Sequence, residues 1–369
     1  MTYKDCTLSI VVPCFNEEAT LETCIDRILG IGSADVKLEI LIVDDCSSDK
    51  SLEIAKALGE KHPEVQSLKH EVNSGKGAAL HTGFAAATGD FVAIQDADLE
   101  YDPQELLTLL EPLRDGSADV VLGSRYRSGK KQRVLYFWHT IGNKLLTLLS
   151  NMFTNLYLTD METCYKVFTR ELIQSIDLVE TRFGFEPEVV AKIADKNARV
   201  FEIGISYTGR TYEEGKKIHF RDALRAAYCI FHYNAFKANW FVQFSIYFVI
   251  GGLSAVANLF IFWVLAQPLH QAIEHATVTA YLAAALINYL LCIVFLFRHN
   301  ARWSTFTELI LYIAVVAIGG FIDVYSTVLL VEAGFALVPA KALASVILFF
   351  ANFLMRKYMV FPEKNGSQA

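Results

Sequence analysis

Four apolar stretches, about residues 241–265, 277–297, 307–331 and 341–361, fill the C-terminal third of the chain. Each approaches the ~20 apolar residues that a helix needs to cross a hydrocarbon core. Such a segment has few ways to fold, because its backbone polar groups must be satisfied inside a helix when no water is present. Upstream of Phe241 the composition is that of an ordinary soluble domain. Charge divides at the same place. Residues 241–369 hold six Lys/Arg (Arg298, Arg302, Lys341, Arg356, Lys357, Lys364) and five acids (Glu274, Glu308, Asp323, Glu332, Glu363). The first 240 residues therefore carry 27 of the 33 basic and 35 of the 40 acidic side chains. An acidic soluble half argues against general nucleic-acid binding, which requires a broad basic surface. The seven cysteines include no C-x-x-C pair, which predicts neither a disulfide framework nor a zinc site and suits a reducing compartment. The polar start, Met1–Ser9, lacks the apolar core of a signal peptide, so the soluble half is expected in the cytoplasm.

Within that half, Leu8–Pro13 is a β-branched run with two apolar faces, as in a buried parallel strand. A helix is expected from Asn16 to about Gly30. A strand follows at Leu38–Val43, a helix at Ser51–Lys61, a strand at Phe91–Ile94, a helix at Pro103–Leu113 and a strand at Val120–Gly123. Strands alternating with helices predict a mostly parallel sheet covered on both faces. Ligands of such sheets bind beyond the carboxyl ends of the strands. Three polar clusters lie at those ends, Pro13–Glu17, Asp44-Asp45 and Asp96–Glu100, and they are expected to converge on one crevice.

Asp96-Ala97-Asp98 is the centre of the chemistry. Alternate residues of an extended turn aim two carboxylates at one space, and oxygen donors of this kind suit Mg²⁺ or Mn²⁺. A lone D-x-D is usually a solvated turn; here it follows a strand, the context that a metal site requires. Glu100 reads either as a third ligand or as a loop acid. Asp45 suits hydrogen bonds to ribose or base and equally suits a helix cap, although Ser47, Ser48 and Asp49 look more like caps. Asn73-Ser74-Gly75-Lys76-Gly77 is a glycine-rich loop with one lysine, without the spacing of a Walker A loop. Arg125, in Gly123–Arg127, and the segment Arg210–Lys217 supply the cations that phosphate oxygens favour. The second segment reads equally well as a basic collar for anionic lipid headgroups.

Taken in order, these residues resemble the inverting family 2 glycosyltransferases of the GT-A fold. Within them they resemble the polyisoprenyl-phosphate glycosyltransferases, the group containing dolichol-phosphate mannose synthase. The resemblance covers roughly residues 7–220 and rests on Val12–Glu17, Val43-Asp44-Asp45, Asp96–Leu99, Gly123–Tyr126, Asp160–Lys166 and Arg210–Lys216. It implies a Rossmann-like α/β domain at 1–219 that transfers a hexose, with inversion, from a nucleotide-sugar of the GDP-mannose or UDP-glucose type to a polyprenyl phosphate. It further implies that Pro13, Phe15, Glu17, Val43, Asp45, Lys76 and Ala97 bind the nucleotide-sugar. Asp96 and Asp98 would hold nucleotide and metal, with Glu100 standing where relatives often have Gln. Arg125, Arg210 and Lys216 would meet phosphates, and Asp96, Asp98, Arg125 and Arg210 would form the catalytic set. Arg125, His139 and Lys217 would meet the acceptor phosphate; His139 replaces an Arg of some relatives. Thr163 stands where some relatives have a carboxylate. A phosphate monoester is largely ionised near neutral pH, its second pKa being about 6, so it can attack without a protein base.

Residues 220–240 mix Arg221, Arg225, His232 and Lys237 with aromatic residues and alanines, as in amphipathic helices lying on a bilayer. The four spans that follow predict an all-α four-helix transmembrane domain, 241–369. Arg298 and Arg302 in the second loop and Arg356, Lys357 and Lys364 at the end place both termini in the cytoplasm by positive-inside reasoning. Asp323, within the third span, reads equally as a functional acid or as a partner for a neighbouring helix. Phe244–Gly251, Asn288–Arg298 and Asn352–Phe361 resemble a four-span family proposed to flip lipid-linked sugars. Two other readings are a lipid-linked-sugar transporter and a processive polysaccharide synthase. The Q-x-x-R-W element of such synthases is matched only by His299–Trp303, which lacks the Gln. The expected partners are a nucleotide-sugar, a polyprenyl phosphate, the membrane and a further copy of the chain.

Overall fold

The computed structural model describes residues 5–127, 133–210, 220–236, 238–267, 269, 271, 273–297, 305–336, 343, 347 and 349–360. The chain divides into two compact units, Met1–Asn234 and Ala235–Ala369.

The first unit is built on a seven-stranded sheet of β1 (Cys6–Cys14), β2 (Val36–Asp44), β3 (Val65–Lys69), β4 (Phe91–Ile94), β5 (Val120–Ser124), β6 (Lys166–Thr169) and β7 (Val200–Gly204), in the order β3-β2-β1-β4-β6-β5-β7. All pairings are parallel except those of β6, which runs antiparallel to β4 and β5. The apolar runs of β1, β2, β4 and β5 are buried almost throughout, as expected of strands covered on both faces. The helices are α1 (Leu21–Leu29), α2 (Ser51–Lys61), α3 (Lys76–Ala86), α4 (Gln104–Arg114), α5 (Phe137–Thr154), α6 (Arg170–Gln174), α7 (Phe185–Asp195) and α8 (Phe220–Asn234).

Seven elements of this unit, β3, β6, β7, α3, α5, α6 and α7, were not expected from sequence, and two of them show why. β3 is a short edge strand with a single buried residue, Val65, too polar to show a strand period. The glycine-rich loop continues into a helix, α3, whose Ala- and Gly-rich sequence has little amphipathic pattern. Conversely, the helix expected from Asn16 begins only at Leu21. Asn16 sits at φ 53°, and its side chain accepts from the Ser48 backbone N–H at 2.8 Å. Asp49 accepts from Ser51 N at 3.0 Å, the capping role expected of it.

α8 is a single helix that packs on α5 and α7. Ala226, Cys229, Ile230 and Tyr233 are buried, and Arg225 makes a bidentate pair with Glu180 at 2.8 and 3.0 Å. The basic and aromatic residues read as a surface-lying segment thus partly secure α8 to its own unit.

The second unit is helical: α9 (Trp240–Ala266), α10 (Ile273–Cys292) continued by a π-helical turn (Ile293–Phe297), α11 (Thr305–Glu332), and a helical segment, 349–355, that ends in a π-helical turn (Arg356–Val360). Trp240–Leu265 and Thr279–Leu296 are long and apolar enough to cross a bilayer. Phe248, Val256, Leu259 and Phe260 of α9 are largely exposed, while Tyr247, Ile250, Tyr289, Cys292, Leu296, Tyr312, Val315 and Phe353 form a core between the helices.

Candidate active site

The strand order reverses direction at β1, whose neighbours are β2 on one side and β4 on the other. Such a switch point opens a crevice at the carboxyl ends of the strands. A cleft of ≈1060 Å³ lies there, and Pro13, Phe15, Glu17, Asp45, Lys76, Asp96, Ala97, Asp98, Glu100, Arg125, His139 and Arg210 all line it. Of the expected site residues, Val43 is buried in β2 and does not line the cleft. Lys216 and Lys217 lie outside the described residues.

Charge in the cleft is unbalanced. The Arg210 guanidinium lies 3.0 Å from Asp98, 3.3 Å from Glu17 and 3.6 Å from Glu100. Lys76 Nζ lies 3.0 Å from Asp96 and 3.5 Å from Glu186. Among the described residues, five carboxylates thus lie beside these two cations. Burial, reinforced by Asp96 and Glu100, pushes the Asp98 carboxyl up to about 7 despite Arg210. The turn that presents these acids is strained, since Leu99 sits at φ 60°. A bulky residue in that left-handed region costs about 1–3 kcal/mol, and such strain collects at functional sites. Glu100 accepts from Tyr207 Oη at 2.7 Å and from the Arg210 backbone N–H at 2.6 Å, and the Arg210 side chain lies 3.6 Å from it. Among the described residues no three His, Cys, Asp or Glu side chains converge as a cation cage. Asp96 and Asp98 remain as a two-carboxylate donor set of the hard-oxygen type that Mg²⁺ and Mn²⁺ favour.

Asp45 is almost fully buried. Its carboxylate accepts from Gly75 N at 2.7 Å and Ser74 N at 2.9 Å, and it lies 2.8 Å from His70 Nδ1. It therefore holds the loop that delivers Lys76. That loop is pressed against residues 180–182. Gly75 sits at φ 97°, and a Cβ on Gly77 would lie 2.2 Å from the Glu180 carbonyl oxygen, so both positions exclude other side chains.

Arg125 lies at the end of β5. Nε and Nη2 donate to Asp160 at 2.6 and 2.7 Å, and the backbone N–H donates to the same carboxylate at 3.0 Å. The guanidinium also lies 5.2 Å from the Tyr207 ring centre. Asp160, which is fully buried, neutralises it and fixes its plane, so Arg125 offers the cleft less free charge than the sequence pattern implied. Next to it lies a second acid pair. Glu162 Oε1 and Glu186 Oε2 are buried without hydrogen-bond partners. Burial first, and Glu186 second, push Glu162 up to about 8, against the pull of Lys166 and Arg125.

Residues 133–146 give the cleft an apolar lining of Val134, Leu135, Tyr136, Trp138 and Leu146, interspersed with Arg133, His139, Thr140 and Asn143. On α5, Trp138, Ile141, Leu145, Leu148 and Met152 are all exposed, Trp138 to 77%. Their spacing of three and four places them along one face of the helix. A contiguous exposed apolar stripe on a folded unit marks a contact surface.

Residues 9–177 match the glycosyl transferase family 2 model, and residues 246–361 match the GtrA/DPMS transmembrane domain. The chain joins a family 2 glycosyltransferase domain to a GtrA/DPMS transmembrane domain. Over 95% of its length it is 25% identical to the dolichol-phosphate mannosyltransferase of Pyrococcus furiosus, of which it covers 98%. It is 26% identical to the dodecaprenyl-phosphate galacturonate synthase of Rhizobium johnstonii and 30% identical to a dolichyl-phosphate beta-glucosyltransferase of Trichomonas vaginalis, over 57% and 54% of its own length. It spans less than two thirds of these two relatives, 61% and 65%. Among solved structures it is similar to glucosyl-3-phosphoglycerate synthase from Mycobacterium tuberculosis, crystallised with Mn²⁺ and uridine diphosphate, with a TM-score of 0.50 at 22% identity over 62% of this chain and 80% of that one. That likeness places the sheet in the GT-A fold. The chain is a membrane glycosyltransferase.

Sequence reasoning missed several parts of the glycosyltransferase cleft. Glu162, Glu186, Arg182 and Tyr207 line it, and none carried a catalytic assignment. Glu186 and Arg182 come from around the start of α7, far in sequence from any strand end. Only the fold of the Lys76 loop against residues 180–182 brings them in. Glu162 stood inside a motif already noted, Asp160–Lys166, and its lack of a buried partner becomes visible only in three dimensions.

Proposed function

We propose that this glycosyltransferase moves a hexose from a nucleotide-sugar to a polyprenyl phosphate, inverting the anomeric centre, on the cytoplasmic face of a multi-pass membrane protein. The observation that carries the reading is the mixed lining of the cleft. The lining combines the acids around Lys76 and Arg210, suited to a diphosphate and its metal, with apolar side chains from 134–146, and Trp138 is shared with the stripe on α5. The three relatives named above carry three different sugars in their names, yet each name specifies a polyprenyl-type phosphate. That pattern supports the acceptor class and leaves the sugar to experiment.

In this reading Asp96 and Asp98 hold Mg²⁺ or Mn²⁺, and the five-to-two excess of carboxylates is the charge that a divalent ion offsets. A divalent ion held there would supply the positive charge that offsets the leaving nucleoside diphosphate. Lys76 and Arg210, which line the cleft, supply N–H donors of the kind that phosphate oxygens favour. Phe15 and Asp45 border the nucleoside end, Asp45 acting chiefly by fixing the Lys76 loop. Arg125, held by Asp160, and His139 on α5 flank the acceptor phosphate. The phosphate monoester attacks as its own nucleophile, so the residues need only align it, exclude water and stabilise the departing charge.

The test is a transfer assay with the full chain in detergent, polyprenyl phosphate, Mg²⁺ or Mn²⁺, and a panel of UDP- and GDP-hexoses. The expected result is one metal-dependent lipid product carrying a single sugar. A polymer, or no lipid product from any donor that binds, overturns the reading.

A further inference from the structure

Arg356, at the end of the last helical segment of the membrane unit, is 93% buried by its 7% exposure. Among the described residues no carboxylate pairs with it. Its Nη1 donates to Asn288 Oδ1 and lies 3.9 Å from Cys292 Sγ, and its guanidinium lies 4.7 Å from the Tyr312 ring centre and 5.4 Å from that of Tyr247. All four partners are neutral. Its Nε–H is buried with no hydrogen-bond partner. A buried charge is costly unless a partner offsets it; among the described residues two rings, one amide and one thiol leave the positive charge unneutralised.

The space beside it is shaped for something polar. A cavity of ≈180 Å³ is lined by Arg356 together with Asn288, Ser254, Asn258, Tyr281 and Tyr312. Asn288 Nδ2 donates to Ser254 Oγ at 3.1 Å, so a polar seam runs from the guanidinium toward the middle of α9. A water occupies about 30 Å³ of liquid volume, so the cavity has room for a tetrahedral anion with accompanying water. The guanidinium fork matches the oxygens of a phosphate.

We propose that the membrane unit carries its own phosphate-binding site, centred on Arg356 and opening into the cavity beside Asn288 and Ser254. The chemistry is that of a phosphate group, borne by a prenyl phosphate, a phospholipid headgroup or the free ion. The site stands on the membrane unit alone and does not depend on the function proposed for the cleft.

The experiment is native mass spectrometry of the full chain in detergent, titrated separately with farnesyl phosphate, phosphatidylglycerol and inorganic phosphate. Wild-type chain is expected to retain one more equivalent of at least one probe than Arg356→Gln, whose affinity for that equivalent falls about 10- to 100-fold for the loss of a charge-assisted contact. Arg356→Lys should fall in between, because it keeps the charge and loses the fork. Ala284→Leu, which fills the cavity and leaves Arg356 in place, should lose the same equivalent and guards against an Arg356→Gln chain that fails to fold. Retention of farnesyl phosphate alone names a prenyl phosphate; equal retention of phosphatidylglycerol names a phospholipid; retention of inorganic phosphate alone names a free-ion site. A cleft that binds no prenyl phosphate lowers every count by one and leaves the difference between wild type and variant intact. Equal retention of all three probes by wild type, Arg356→Gln and Ala284→Leu overturns the proposal and makes Arg356 a tether between helices.

Discussion

The glycosyltransferase unit and the membrane unit handle buried charge in opposite ways. In the first, Lys76, Arg125 and Arg210 have carboxylate partners within 3.0 Å, the fully buried Lys166 donates to the Met161 and Thr163 carbonyls with Glu162 and Glu186 close by, and among the described residues the acids around Lys76 and Arg210 outnumber the cations. In the second, Arg356 is buried among neutral groups. The difference teaches what each unit lacks. On the readings proposed above, a cation would complete the surplus of carboxylates in the cleft, and an anion would complete the guanidinium beside the polar cavity. Taking charge out of water is costly unless a partner offsets it, so the sign of the imbalance indicates the sign of the missing ligand.

The largest expected effect breaks the pairing itself. Arg125→Ala leaves Asp160 fully buried and uncompensated, and the glycosyltransferase unit should lose about 3–5 kcal/mol of stability, read by chemical denaturation. Arg125→Met combined with Asp160→Leu removes both charges and should lose much less. Arg356→Gln, which strands no opposite charge, should cost no more than about 1.5 kcal/mol. Equal losses for Arg125→Ala and Arg356→Gln would erase the contrast between the units.

Next in size is Asp98→Ala. Removing one member of the two-carboxylate set should lower kcat by about 10²–10³ or more, on the scale of losing one preorganised electrostatic contact, while circular dichroism stays that of wild type. Turnover that survives with its metal dependence intact would remove Asp98 from the cation site.

A smaller effect concerns Glu162. Its carboxyl, facing Glu186 from α7, Lys166 from β6, and Arg125 and Asp160 nearby, is pushed from the usual glutamate range up to about 8. Between those two values the folded chain holds a proton that the unfolded chain has released. Stability from this group is therefore fully present at low pH, declines as pH rises from about 4.5 to about 8, and is flat above. Glu162→Gln should remove that part of the decline, measured as the midpoint of denaturation against pH. An unchanged pH profile would show that the Glu162–Glu186 pair is neutralised by other means.

How much of this was legible in the sequence depended on the range of the interaction. The strands at Leu8–Pro13, Leu38–Val43, Phe91–Ile94 and Val120–Gly123 announced themselves because a doubly buried strand must be a continuous apolar run. Asp96 and Asp98 were readable because two alternate residues after a strand already share a direction. Two of the four apolar stretches return as helices long and apolar enough to cross a bilayer, Trp240–Leu265 and Thr279–Leu296, and they were readable because bilayer thickness sets the length required. β3 and α3 were not, since an edge strand and an Ala/Gly-rich helix satisfy their neighbours without an amphipathic pattern of their own.

What the sequence determined by itself was the division into a soluble α/β unit and an apolar helical one, together with the acids and cations that meet at the strand ends. What only the tertiary structure decided was the pairing. Arg125 is committed to Asp160, Glu100 meets Tyr207 and Arg210, Asp45 secures the Lys76 loop, Glu186 enters from α7, and Arg356 has no acid beside it among the described residues. The physical reason is that composition fixes how many charges a chain carries, whereas the energy of each depends on the few ångströms to its nearest partner and on its burial, which are set only when distant segments pack.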